Sequence, residues 1–265
     1  MKSGLRAMLR AGRPAFGSWL QFGHPGIAEV MATSGFDWIA IDLEHSGIGI
    51  EMACSLIQVI ELAGCVPLVR LSANDPVQAK RLMDAGAHGI IVPAVNSVEE
   101  AERAAKSVRY PPQGSRGVGL ARVHGYGARF QEYLEELKEC AVVIVMIEHR
   151  DGVEQVENIL RVPGVDGVFI GPYDLSTSYG VPGQLDHPLV RAAAARILKA
   201  AQEANVAPGI HVVHPPIDQV RTRLAEGFRF LAYGGDMLFL VPAMRETAAQ
   251  LRGLAGRSET QGPVS

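Results

Sequence analysis

The 265 residues, 48% hydrophobic and 20% charged, exclude a mini-protein that needs covalent staples and an apolar-poor disordered chain, and leave room for one large α/β core. Twenty-five Lys and Arg against 28 Asp and Glu give a net charge of -3 without a basic block, which argues against nucleic acid and membranes as partners and points to small molecules. Cys54, Cys65 and Cys140 are far apart and lack metal spacing, so they read as free thiols; with no apolar signal region in residues 1–17 and no later stretch of about 18 uncharged apolar residues, a cytoplasmic protein is expected.

In chain order, short apolar β-branched runs recur at 16–20, 35–42, 66–71, 86–93, 142–147, 164–171, 208–212 and 227–234. Four of them open just after a helix-capping glycine, at Gly35, Gly86, Gly164 and Gly227, the mark of a repeated βα unit. Between them lie stretches with apolar spacing near 3.6, at 51–63, 76–85, 98–108 and 188–204. Eight nearly continuous apolar strands alternating with amphipathic helices predict a single-domain (β/α)8 TIM barrel over residues 1–255, followed by a polar tail at 256–265. One segment breaks the rhythm: residues 110–127 carry five glycines and two prolines before a short helix expected at 128–138. It reads as a long βα connection, of the kind that forms active-site or subunit contacts.

In a barrel of this type the active site lies at the C-terminal ends of the strands, where the polar residues are few. The second strand ends in Asp42, Glu44 and His45, the third in Arg70, the fifth in Glu148 and His149, the sixth in Asp174, the seventh in His211 and His214, the eighth in Gly234, Gly235 and Asp236. Glu148 and Asp174 end neighbouring strands about 4.8 Å apart, so both carboxylates can reach one hard divalent cation; the alternative is a helix cap or a surface ion pair for each. His45 is placed for proton transfer. Arg70 either stabilises a developing oxyanion or forms a buried ion pair with Asp42 or Glu44. His211 and His214, three residues apart at a strand end, face opposite ways and read as structural. Gly234 and Gly235 suit either a phosphate cradle or a tight turn capped by Asp236. The lysines fall in the N-terminal segment or in predicted helices, so a Schiff-base lysine at a strand end is missing.

Five stretches carry a family resemblance: Asp-Trp-Ile-Ala-Ile-Asp-Leu-Glu-His at 37–45; Pro-Leu-Val-Arg at 67–70 with Asn-Asp-Pro at 74–76; Arg-Tyr-Pro-Pro-Gln-Gly-Ser-Arg-Gly-Val-Gly at 109–119; Met-Ile-Glu at 146–148; and Val-Phe-Ile-Gly-Pro-Tyr-Asp-Leu-Ser at 168–176. In these the chain resembles, nearly end to end, the metal-dependent class II pyruvate aldolases of the HpcH/HpaI family. The resemblance implies a Mg2+, Mn2+ or Co2+ ion on Glu148 and Asp174, and pyruvate and an aldehyde as partners. It implies His45 as acid/base, Arg70 on the enolate, and Gly171, Pro172 and Tyr173 receiving the pyruvate carboxylate. It also gives Asp84 the role of raising the basicity of His45, although the strand reading places Asp84 at a helix end on the opposite rim. A homohexamer, a trimer of dimers that exchange the C-terminal helix, is implied as well. The chain departs from some members at Met146, where they have glutamine, and at Tyr173, where they have alanine. It thus leads to reversible cleavage of a 4-hydroxy-2-oxo acid, with a related acyl-CoA lyase, a phosphate-binding isomerase and a non-catalytic metal-binding subunit as the rival readings.

Overall fold

Strands that are apolar on both faces must be covered on both, and a sheet that closes on itself meets this demand by burying one face inside and packing helices on the other. The computed structural model, which describes residues 4–213 and 217–254, shows this arrangement. Parallel strands β1 (Ala15–Leu20), β2 (Trp38–Asp42), β3 (Val66–Arg70), β4 (Gly89–Val92), β5 (Val142–Ile147), β6 (Gly167–Ile170), β7 (Ala207–Val212) and β8 (Phe230–Gly235) close in sequence order into a TIM barrel. The helices are α1 (Leu5–Arg10), α2 (Pro25–Thr33), α3 (Ile50–Leu62), α4 (Pro76–Ala85), α5 (Val98–Ser107), α6 (Phe130–Cys140), α7 (Arg150–Glu154), α8 (Val156–Ile159), α9 (Pro172–Ser178), α10 (Pro188–Glu203), α11 (Asp218–Glu226) and α12 (Asp236–Leu254).

Local chemistry sets the ends of these helices. Asp75 accepts a hydrogen bond from the backbone N–H of Val77 with Pro76 in the first turn of α4, and Ser97 caps α5 through the N–H of Glu100. Gly86 closes α4 at φ +110°, a left-handed conformation that a side chain would strain.

The period of two along each strand sorts the side chains into two cores. Trp19, Trp38, Leu68, Ile144, Met146, Phe169 and Phe230 fill the barrel, while Ile39, Val69, Val145 and Ile147 face the helices. Trp38 stacks on Phe230 with ring centroids 4.2 Å apart, and Gly17 is required beside it because a Cβ there would fall inside the indole.

The segment 110–127 is not the βα connection expected from its composition. It follows α5 and leads through a short 3-10 stretch, Arg122–Gly127, into α6, which starts two residues later than expected. A helix that runs antiparallel to the strands delivers the chain to the rim where strands begin, so this segment lies on the face opposite the strand ends. There the buried guanidinium of Arg116 donates to Asp84 at 2.6 Å and to the Tyr133 hydroxyl at 2.7 Å, and Arg122 pairs with Glu61 at 2.6 Å. His214 and the tail 256–265 lie outside the described residues. Among the described residues no helix is long and apolar enough to cross a membrane.

Burial pushes the Tyr133 hydroxyl from its ordinary value of 10.0 up to about 12, against the pull of Arg116. The unfolded chain ionises this tyrosine first, so the stability that Tyr133 contributes is complete below pH about 10 and is lost as pH rises to about 12. An alkaline titration followed by tyrosinate absorbance should show a group held back to about pH 12, absent from Tyr133→Phe.

Candidate active site

The alternation that fills the barrel also aims its rim. Trp38 and Ala40, Val66 and Leu68, and Ile144 and Met146 face the interior, and two residues on from each pair come Asp42, Arg70 and Glu148. Asp42 and Arg70 are direct register partners on β2 and β3, as are Ile147 and Ile170 on β5 and β6.

Asp42 is the hub. It is fully buried and accepts from Arg70 Nε at 2.9 Å and Nη2 at 2.5 Å, from Gln21 Nε2 at 2.9 Å, and from the backbone N–H groups of Glu44 at 3.0 Å and His45 at 3.2 Å. Burial alone would raise its carboxyl pKa, but the hydrogen bonds and charge of Arg70, with those of Gln21 and His45, hold it below the ordinary value. Arg70 therefore does form the buried ion pair with Asp42. The same fork leaves Nη1 turned toward Glu44 Oε2 at 3.3 Å, and the guanidinium lies 4.4 Å from the centroid of the Trp19 ring.

Across the rim, Glu148 is 8% exposed, and its Oε1 accepts from the backbone N–H of Ala94 at 2.7 Å. Burial pushes its carboxyl up to about 7; the Ala94 bond opposes this, while the charges of Glu44 and Asp174 add to it. Asp174 lies in the first turn of α9, four residues beyond the strand end, and makes neither an ion pair nor a helix cap among the described residues. The cap and ion-pair alternative for this residue thus fails. Three carboxylates share one neighbourhood with no lysine among the lining residues.

Two cavities of about 270 and 450 Å3 share His45 and Asp174 in their walls. The first is lined by Trp19, Arg70, Met146, Phe169, Gly171, Pro172 and Tyr173, the second by Glu44, Asn96, Glu148, His149 and Ser178. The imidazole of His45 is 58% exposed, 3.7 Å from Glu44 Oε2. Of the other expected residues, Asp84 sits in the last turn of α4 at the opposite rim, engaged with Arg116, and no bond links it to His45 among the described residues. His149 caps α7 through the N–H of Asp151, and His211 bonds the carbonyl of Gly234 at 2.8 Å. Asp236 accepts from the backbone N–H groups of Gln21 at 2.9 Å and Phe22 at 2.6 Å, so it fixes the β1–α2 turn beside Gly234 and Gly235.

The donor set suits a hard divalent cation. A Cβ on Gly171 would sit 2.5 Å from Glu148 Oε2, so this glycine makes the space in which the β5 carboxylate reaches toward β6. Among the described residues no group of three His, Cys, Asp or Glu side chains is arranged to hold an ion, so Glu148 and Asp174 would leave most of an octahedral shell to substrate and water.

This barrel, with paired carboxylates just after β5 and after β6, belongs to the HpcH/HpaI aldolase/citrate lyase family, whose model matches residues 15–243. The chain is 40% identical over 253 residues to the 4-hydroxy-2-oxo-heptane-1,7-dioate aldolase of Shigella sonnei, covering 94% of this chain and 95% of that one. It is 38% identical to the enzyme of the same name from Salmonella paratyphi C, over 97% and 99% of the two chains. Among solved structures, an HpcH/HpaI aldolase/citrate lyase family protein from Burkholderia cenocepacia superposes with a TM-score of 0.88 at 34% identity, over 95% of this chain and all of that one.

Sequence reasoning missed Trp19, Gln21 and Asn96 as site residues and gave Asp42 only as the partner in an alternative ion pair. The register of β2 against β3 was the signal for Asp42. Gly171→Ala should weaken Mn2+ binding by about 10–100-fold in a calorimetric titration, because the added methyl displaces Glu148 without removing a carboxylate.

Proposed function

We propose that the chain is a divalent-metal-dependent aldolase that reversibly cleaves 4-hydroxy-2-oxo acids to pyruvate and an aldehyde. The observation that carries this reading is the convergence of Glu148 and Asp174 with Arg70 and His45 around two joined cavities in a member of an aldolase family. Among the described residues, Arg70 is the one permanently cationic side chain lining either cavity. A compact 2-oxo acid matches that charge better than an acyl-CoA, whose nucleotide phosphates call for more.

Glu148 and Asp174 would hold Mg2+, Mn2+ or Co2+, which when bound supplies Lewis-acid polarisation of a 2-oxo acid. The start of α9 at Gly171, Pro172 and Tyr173 receives the pyruvate carboxylate. His45, exposed at the boundary of the cavities, takes the proton of the 4-hydroxyl directly or through a water. The C3–C4 bond breaks, the aldehyde leaves, and the electron pair moves onto the enolate oxygen. Arg70, prevented by Asp42 and Trp19 from turning away, donates hydrogen bonds to that oxygen at no cost of reorientation. A proton delivered to C3 yields pyruvate. Met146 in the floor and Tyr173 at the mouth of the first cavity shape the room left for the acceptor. Asp84, bound to Arg116 within one chain, enters no step here. The reading extends to a homohexamer and to a cytoplasmic setting suited to the free thiols Cys54, Cys65 and Cys140.

Pyruvate release from a series of 4-hydroxy-2-oxo acids, coupled to a reductase, tests it. Turnover should stop with EDTA, return with Mg2+ or Mn2+, and fall at least about 10³-fold in Asp174→Asn, as loss of several kcal/mol of charge stabilisation requires. Wild-type activity in that variant, or none from any substrate with metal supplied, overturns the proposal. Asp42→Asn should lower kcat about 10²-fold by freeing Arg70, with the fold retained by circular dichroism.

A further inference from the structure

On the face opposite the active site, α1, the end of α5, α6 and the turn before β6 enclose a third cavity of about 730 Å3. Its walls carry Arg6, Arg10, Arg109 and Lys138 between apolar surfaces of Tyr110, Leu134 and Pro163. Two carboxylates serve these four cations. Asp166 pairs with Arg6 at 2.7 Å and stands 3.6 Å from Arg109, and Glu135 pairs with Lys138 at 2.7 Å. Arg10 has no carboxylate partner among the described residues, so an excess of two positive charges faces the cavity.

The arrangement is held in place by the fold. Arg109 is largely buried, and its Nη1 and Nη2 donate to the carbonyls of Ala105 at 2.7 Å and Gly164 at 3.1 Å. Gly164, at φ +99°, admits it, since a Cβ there would lie 2.8 Å from Nη1. Arg6, also buried, donates to Asp166 and to the Lys138 carbonyl. The Tyr110 hydroxyl is buried without a hydrogen-bond partner among the described residues. Burial lowers the pKa of Arg109; Asp166 opposes this, and the neighbouring charges of Arg6 and Arg10 add to it, the signature of cations that one carboxylate does not balance. Two buried guanidiniums sharing one acid cost more than a single pair would, and a bound anion would relieve that cost.

We infer that this cavity is a second binding site, separate from the catalytic one, for a small organic dianion with a compact apolar body. Its charged groups engage the guanidiniums of Arg10 and Arg109, and the body lies against Leu134 and Pro163. A volume within the range of small-molecule sites, apolar walls and a few convergent charges fit that class. A dicarboxylate and a phosphate monoester share the required chemistry.

Calorimetric titration in EDTA of the full chain carrying Asp174→Asn, which disables the proposed metal site, separates this site from the active site. Glutarate and phenyl phosphate are the probes, with chloride at matched ionic strength as the control. Saturable binding with a Kd below about 1 mM, weakened at least about tenfold by Arg10→Glu or Lys138→Glu, is the expected result. Both substitutions fall on exposed side chains, so they spare the fold where Arg109→Gln would not. Preference for one probe identifies the dianion as dicarboxylate or phosphate ester. Saturation by neither probe, or saturation that both variants retain, overturns the inference. Failure of the aldolase reading would leave the outcome unchanged, because no turnover is measured.

Discussion

The Asp42–Arg70 pair is the constraint on which the catalytic face depends. A carboxylate with no exposure is stable as an anion only if its lone pairs are filled, and Asp42 fills them from β1, β3 and its own loop at once. Removing any one donor leaves charge buried in a region of low dielectric. Gln21, the turn bearing Glu44 and His45, and the guanidinium of Arg70 are therefore positioned together. The barrel supplies the register, and the ion pair turns that register into fixed directions for side chains.

The two ends of the barrel handle charge in opposite ways. At the strand C-termini, carboxylates outnumber the one arginine among the described lining residues, and the charges of Glu44 and Asp174 add to the burial that raises the pKa of Glu148. At the other end, Arg116 and Arg122 are each met by an acid and by carbonyl or hydroxyl oxygens contributed by α3, α4 and α6. Segment 110–127, glycine-rich and without long regular structure, is held to the barrel by these arginines. Asp84 belongs to that second arrangement within a single chain.

Most of the architecture was legible because it rests on local signals: glycines that end helices before apolar runs, proline and aspartate that begin α4, and strand lengths matched to one barrel. The placement of segment 110–127 was not, since glycine and proline content marks a loop without saying which end of the barrel it crosses. Within the site, Glu148, Asp174, Arg70 and His45 were legible as polar residues after apolar strands. The depth of Asp42 was hidden because a carboxylate at a strand end looks the same in sequence whether it faces water or an arginine. Trp19 was hidden for a related reason: a tryptophan inside a barrel strand reads as core, and its second role appears only when Arg70 is seen to lie over its face.

That contact gives the molecule an optical consequence. The chain has two tryptophans, and both lie within the barrel interior with their rings 6.5 Å apart. Trp38 is sealed against Phe230, whereas Trp19 carries the guanidinium that faces the first cavity. Intrinsic fluorescence from this protein therefore comes from one emitter in an invariant apolar setting and one beneath a charge at the floor of the site. A displacement of Arg70 alters the field most strongly on the second emitter, so the protein carries a built-in, label-free reporter of its catalytic rim.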